Sequence, residues 1–395
     1  MGQSRHERGP RTSEHATAVD RRTWLASAGA LIGVAGCQTK GRGEKVVAES
    51  RNVAGANRPI QQRSVGFQLA QEQFTMPELV ELGVLAEQAG FDVVTASDHL
   101  QPWQANQGHS GFAWLTLCAL GQRTKRVWLG TTVTCPTFRY HPAVVAQGFA
   151  SLSALYPGRI FLGVGSGEAL NEQAATGEWP NWNERSERLI EATDIIRRLW
   201  SGAKTERQGR YYNVNARLYD PPSQPIPLLM AANGPKAMRR AGQHADGLVT
   251  DSKTWKQHKG EFERGWNEAG KTHAAKSVFI EHYAVVGNEE DARAAAELWR
   301  FGPKAWKPYV NIPDPARIEE LSKSEIPLEE VYKDWVVSTD PNVHAKAILD
   351  LFESGATEVN IHSGQADQRR VIAFYGDEVL PRLARGSGRR DTRLP

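Results

Sequence analysis

A closed (β/α)8 TIM barrel is the architecture this sequence implies. Eight short β-branched or apolar runs alternate with helical segments between residues 64 and 383. No series of strands without helices interrupts them, which favours a closed barrel over an open doubly wound sheet, the second choice. Polar, chemically able residues gather just past the ends of those runs, where barrels of this kind place their sites.

The first run, Val65 to Leu69, leads to Met76 to Ala89. There Leu79, Leu82, Val84 and Leu85 keep helical spacing and Gly90 is the stop. Strand two is Val93 to Ala96, followed by a helix over Ala113 to Gln122. Strand three is Val127 to Thr134, and His141 to Leu155 reads as a helix with Pro142 near its first turn. Strand four is Arg159 to Val164. The helix after it, Glu184 to Trp200, carries Leu189, Ile195, Ile196 and Leu199 on one face. Residues 205 to 225 read as a loop or hairpin excursion. Strand five is Pro227 to Ala231, with a helix from Pro235. Strand six is Gly247 to Thr250, with a helix over Trp255 to Ala269. Strand seven is Ser277 to Val286, with a helix over Glu289 to Trp299. Residues 301 to 338, rich in Pro and Trp, form an insertion. Asn342 to Glu353 is a helix, Glu358 to Ile361 is strand eight, and Gln368 to Leu383 closes the barrel.

Hydrophobic residues make up 40% and charged residues 24% of the 395, the balance of a soluble globular protein. The net charge of +3 is concentrated at the ends: residues 1 to 63 hold 11 Lys/Arg against 5 Asp/Glu. The barrel itself is acidic, so a nucleic-acid partner is not expected. The three cysteines, Cys37, Cys118 and Cys135, form no CxxC pair, and no metal is expected.

Arg21 and Arg22 precede an apolar, uncharged stretch from Ala26 to Gly36 that is too short to span a bilayer. It fits the h-region of a twin-arginine export signal. Val34-Ala35-Gly36-Cys37 is similar to a lipobox, with Cys37 as the lipid-bearing residue; the other reading is an ordinary buried helix. The expected layout is a signal at 1–37, a polar linker at 38–63, the barrel at 64–383 and a basic tail at 384–395. It implies the export machinery as a partner and a place in the cell envelope, lipid-anchored at Cys37.

The chemistry centres on Asp98, His99 and Trp103, just past strand two. The other strand ends bring Gln68 and Glu72; Thr132 to Cys135; Ser166, Gly167, Glu168 and Asn171; Asn233 and Gly234; Asp251 and Lys253; Glu281 and His282; and His362. Ser97-Asp98-His99 is also readable as a helix cap with a satisfied histidine. Gly163 to Glu168 lacks both nucleotide fingerprints, GxGxxG and GxxxxGK. Its glycines would let backbone approach a flat ligand. Glu168 is a candidate proton carrier or, alternatively, a helix cap. Asn233-Gly234-Pro235-Lys236 opens a helix with Arg239 and Arg240 one turn in, which is either a phosphate seat or a solvated basic face.

SDHLQPW, GTTVTCPTFRYHP, LYPGRIFLGVGSGEALNE and AANGP resemble the deazaflavin-dependent branch of the luciferase-like barrel family, the coenzyme F420-dependent dehydrogenases. The resemblance runs from about Val65 to Leu383. It implies F420 as cofactor and hydride transfer as the chemistry. His99 would take the substrate's hydroxyl proton, Glu168 would serve the ring side, and Trp103 would steady the transition state. Asp98, Thr132, Val133, Cys135, Ser166, Gly167, Asn171, Asn233 and Gly234 would contact the cofactor. A non-proline cis peptide would fall at Thr132-Val133.

Family members that act on sugar phosphates hold the phosphate with Lys and Arg. Here the position before Trp335 is Asp334, and the lysine positions around Asp251 to Thr254 and at Tyr309 do not match cleanly. Trp299, Trp306, Tyr309 and Trp335 suggest an apolar mouth. The implied substrate is therefore a secondary alcohol of a long-chain envelope lipid, of the hydroxymycolate-to-ketomycolate kind, with a homodimer as the candidate assembly. The alternatives are an F420-dependent sugar-phosphate dehydrogenase, an FMN monooxygenase of the same fold, and a lipoprotein that only binds lipid.

Overall fold

The computed structural model describes residues 63–387 except residue 273. The expected signal with Cys37, the linker up to 62 and the end of the tail lie outside the described residues.

The first half of the barrel runs β1 Ser64–Leu69, α1 Met76–Ala89, β2 Val93–Ala96, α2 Ala113–Arg123, β3 Trp128–Thr134, α3 Pro142–Leu155 and β4 Ile160–Val164. A short α4 Glu172–Thr176 and the long α5 Trp182–Trp200 follow. The excursion is a hairpin of β5 Thr205–Gln208 and β6 Asn213–Ala216. The second half runs β7 Leu228–Ala231, α6 Pro235–His244, β8 Gly247–Asp251, α7 Ser252–Glu268, β9 Ser277–Val286 and α8 Glu289–Leu298. The insertion carries α9 Pro315–Glu325, α10 Leu328–Tyr332 and β10 Val336–Ser338. Then come α11 Pro341–Glu353, β11 Glu358–His362, α12 Gln368–Phe374 and, after a π-helical turn, α13 Leu380–Ser387. That last helix runs on past Leu383, into the segment expected to be tail.

Eight parallel strands close in the order β1-β2-β3-β4-β7-β8-β9-β11 and back to β1. β10 adds to the end of β9 outside that circle, pairing Val336 with Ala284. The strands are short and mostly buried because helices cover one face and the barrel interior fills the other. Val65, Phe67 and Leu69 of β1 point outward into the main core with the helices. Inside, Val93, Phe161, Leu229, Val249 and Phe279 plug the floor. Above this plug lies a polar layer. Gln68 Oε1 accepts from Thr95 Oγ1, from Thr132 Oγ1 at 2.7 Å and from Asn360 Nδ2 at 3.0 Å. The strand ends above that layer enclose the site.

Several helices start earlier than apolar spacing suggests, because polar residues cap them. Asp251 accepts from Lys253 N and Thr254 N, both at 2.9 Å, so α7 starts at Ser252 rather than Trp255. Asn181 likewise starts α5 at Trp182. Gly90 closes α1 in the left-handed conformation, φ 98°.

Candidate active site

The rim encloses a cavity of about 590 Å³. His99, Trp103 and Glu168 all line it, as do Thr132, Val133 and Asn233. His99 sits in the loop after β2, held by the start of the β1–α1 loop. Its Nδ1 lies 2.9 Å from Glu72 Oε1, although the ring N–H does not point along that line. Ser97 Oγ donates to the same carboxylate oxygen at 2.5 Å. Burial would raise the pKa of Glu72, but the His99 contact and the Ser97 hydroxyl outweigh it and hold the carboxylate low. Burial would lower the pKa of His99, but Glu72 raises it above the ordinary imidazole value, and Glu168 adds to the rise.

Trp103 is packed as a wall. Its ring stacks on Phe301 with centroids 4.7 Å apart and meets the His99 ring edge-on at 6.1 Å. Trp306 stands across the entrance. With its amide oriented to donate to Ala232 O, Asn233 accepts from Trp306 Nε1 at 3.1 Å.

β3 bulges where its register with β4 shifts between Thr131 and Thr134, and the Thr132–Val133 bond is cis. The bulge explains Gly163: a Cβ there would lie 2.1 Å from Thr131 O and 2.9 Å from a Val133 methyl. This glycine makes room for the bulged strand; the expectation that it admits a ligand is corrected. Gly167, at φ +77°, faces Cys135 Sγ and the Glu172 side chain. Among the described residues no cluster suited to a metal ion occurs.

The sequence profile described as luciferase-like monooxygenase matches residues 60–358. The chain belongs to the luciferase-like family. The F420-dependent hydroxymycolic acid dehydrogenase of Mycobacterium tuberculosis is 45% identical over 324 residues, 81% of this chain and 88% of that protein. The F420-dependent glucose-6-phosphate dehydrogenase of Microbacterium testaceum is 41% identical over 331 residues, 80% of this chain and 96% of that one. Among solved structures, an F420-dependent secondary alcohol dehydrogenase in complex with an F420-acetone adduct superposes with a TM-score of 0.77 at 31% identity. It covers 82% of this chain and 99% of that one.

Not every residue expected to touch the cofactor of this luciferase-like barrel lines the cavity. The Asp98 carboxylate is buried beneath it and fully engaged. It accepts from Thr134 Oγ1 at 2.7 Å, Trp114 Nε1 at 3.0 Å, Tyr140 OH at 3.1 Å and Arg139 at 3.2 Å. Its side chain therefore holds the His99 loop, and the expected ring contact is corrected accordingly. Asn171 is 1% exposed. Its Oδ1 accepts from Leu100 N at 2.8 Å while its Nδ2 donates to Glu168 Oε2 at 3.0 Å. It joins the loop of His99 to Glu168 and positions both. Cys135 is buried on Thr137, 3.1 Å away, and burial pushes its thiol well above the ordinary range. Ser166, Gly167 and Gly234 also lie off the cavity wall.

The basic residues inside α6 have protein partners. Arg239 donates to Glu268 at 2.8 Å, and Arg240 reaches Ser186 and lies over the Trp182 ring. A phosphate seat there is reduced to the helix start at Gly234 and Lys236. Tyr309 does not line the mouth: it is fully buried, its hydroxyl donating to Glu325 at 3.1 Å. Sequence reading placed Glu72 on the rim but gave it no role. The only signal was an acid shortly past β1, on the same rim as His99.

Proposed function

We propose that this protein, an F420-dependent oxidoreductase acting on CH–OH donors, oxidises a secondary alcohol of a long-chain envelope lipid to the ketone. A hydroxymycolic acid is the substrate and a ketomycolic acid the product. The observation that carries this reading is the charge balance of the mouth. Each lysine lining the cavity has a carboxylate partner: Lys253 with Asp334 at 3.4 Å, Lys304 with Glu325 at 2.6 Å, and Lys333 with Glu330. Among the described residues of the wall, each lysine thus stands beside a carboxylate that competes with a phosphate dianion. Six aromatic side chains line the same cavity: Trp103, Tyr283, Trp299, Phe301, Trp306 and Trp335.

The cavity fits a flat deazaflavin. Its wall includes the apolar side chains of Val133, Ala231 and Val249. Thr132, Val133 and Asn233 would hold the ring, and the start of α6 at Gly234 and Lys236 the phosphate of its tail. When bound, F420 supplies a carbon that accepts hydride. The chain itself supplies orientation and proton handling. Glu72 fixes His99 through Nδ1 and leaves Nε2 to take the hydroxyl proton. Glu168, steadied by Asn171, is placed to hold or deliver a proton on the ring side. The aromatic wall excludes water from the carbinol.

The expected twin-arginine signal, with Cys37 as lipid anchor, supports the same reading, because very long lipids are in the envelope. Incubation with oxidised F420 and either a hydroxymycolate or glucose 6-phosphate, followed by loss of F420 absorbance, tests the substrate. Turnover of the lipid alone is expected. Efficient oxidation of the sugar phosphate, or oxygen uptake with reduced FMN, would overturn the reading.

A further inference from the structure

His362, the last residue of β11, has no part in the proton path above. It shares the inward face with Glu358 and Asn360 by strand alternation, and it lines the cavity. Its ring stacks on Tyr283, with centroids 4.7 Å apart, and meets Trp299 edge-on at 4.3 Å. It is 5% exposed, yet neither ring nitrogen has a hydrogen-bond partner among the described residues. Buried polar groups are ordinarily satisfied. His344 shows the ordinary case, with one ring nitrogen 2.9 Å from Tyr375 OH and the other 3.0 Å from Ser338 O. An aromatic clamp that fixes an unsatisfied imidazole at a cavity wall indicates a partner that arrives with a ligand.

An uncharged ligand group suits this imidazole best. Burial holds His362 neutral, with its pKa down to about 4 against a smaller opposing pull from Glu72, so it offers one donor and one acceptor. Glu72, whose pull reaches the ring, lines the same cavity with Glu168 and Asp251, while burial raises Glu281 to about 8 and leaves it neutral. An anion beside His362 would meet the Glu72 carboxylate. The position is also on the substrate side. In the barrel order β11-β1-β2-β3, His362 stands three strands from the Thr132–Val133 bulge, beside Trp299 and under the insertion.

We propose that His362 is a specificity residue that hydrogen-bonds a second, uncharged oxygen of the substrate, a hydroxyl or ether on a carbon neighbouring the carbinol that is oxidised. The inference rests on the dehydrogenase reading.

The test compares two probes with the F420-loaded enzyme: a mid-chain secondary alkanol, and the same alkanol bearing a methoxy group on the adjacent carbon. The ratio of their kcat/KM values is expected to favour the methoxy compound and to fall at least about tenfold in His362→Phe. His362→Asn or His362→Gln, which keep a neutral donor and acceptor, is expected to retain most of the ratio. F420 binding by fluorescence shows whether each variant folds. Nitrogen NMR of the wild-type imidazoles gives a second readout, in which the methoxy alkanol is expected to shift the His362 ring signal. An unchanged ratio in His362→Phe, an equal loss in all three variants, or an unmoved ring signal overturns the inference. Absence of turnover of either alkanol by the wild type would count instead against the dehydrogenase reading, and the NMR titration would still decide the role of His362.

Discussion

In the proposed mechanism His99 is the base, and Glu72 lies against its Nδ1. Changing His99 to alanine is expected to cut kcat by about 10²–10⁴-fold, the usual loss for a positioned base. F420 binding by tryptophan quenching is expected to persist, and full activity would end the mechanism. Since Glu72 raises the pKa of His99, kcat/KM should climb with pH through a value above the ordinary imidazole range and then level off. In Glu72→Gln the main raising influence is gone and only Glu168 is left to oppose burial, so that limb is expected to move to lower pH; an unmoved profile would reject the pairing. The sequence pointed to His99, Trp103 and Glu168 because each lies just past a strand, and strand ends share one rim. It did not assign Glu72 to His99, because their contact joins two loops and depends on side-chain geometry. Asp98 misled for the same reason: its position is on the rim, but its carboxylate turns into a buried set of donors.

β3 and β4 meet at a bulge that no apolar pattern announces. Its trace in the sequence was a cluster of glycines, read as room for a flat ligand, and Gly163 serves the strand instead. Gly163→Ala is expected to destabilise the fold by about 2–4 kcal/mol, because the new methyl meets backbone that cannot swing aside. A lowered thermal midpoint with weakened F420 binding would show it, and wild-type stability would refute it. Strand positions followed the sequence reading to within a residue because β-branched runs bounded by polar residues mark them well. Helix starts such as that of α7 did not, since a cap depends on one side chain, Asp251, reaching two backbone amides.

Closure of the eight strands was readable because alternation of element types is a whole-chain signal. The filling of the barrel was not, because polar inward residues look like surface residues in the sequence. Glu358 is one of them, fully buried at the start of β11, where burial pushes its carboxyl up to about 8. Unfolding returns it to an ordinary acid near 4.3. Between those values the unfolded chain binds fewer protons than the native one, so stability falls as pH rises, by up to about 1.4 kcal/mol per unit, and levels off above about 8. Glu358→Gln is expected to flatten that slope in urea titrations between about pH 5 and about pH 8; parallel slopes would exclude the role. β9, finally, is longer than the barrel requires, and its overhang carries β10 at Ala284 to Val286. The insertion thus leaves the scaffold at α8 and returns to it at a fixed clasp. Changes confined to that tethered stretch can therefore reshape the mouth while the strands beneath it keep their register.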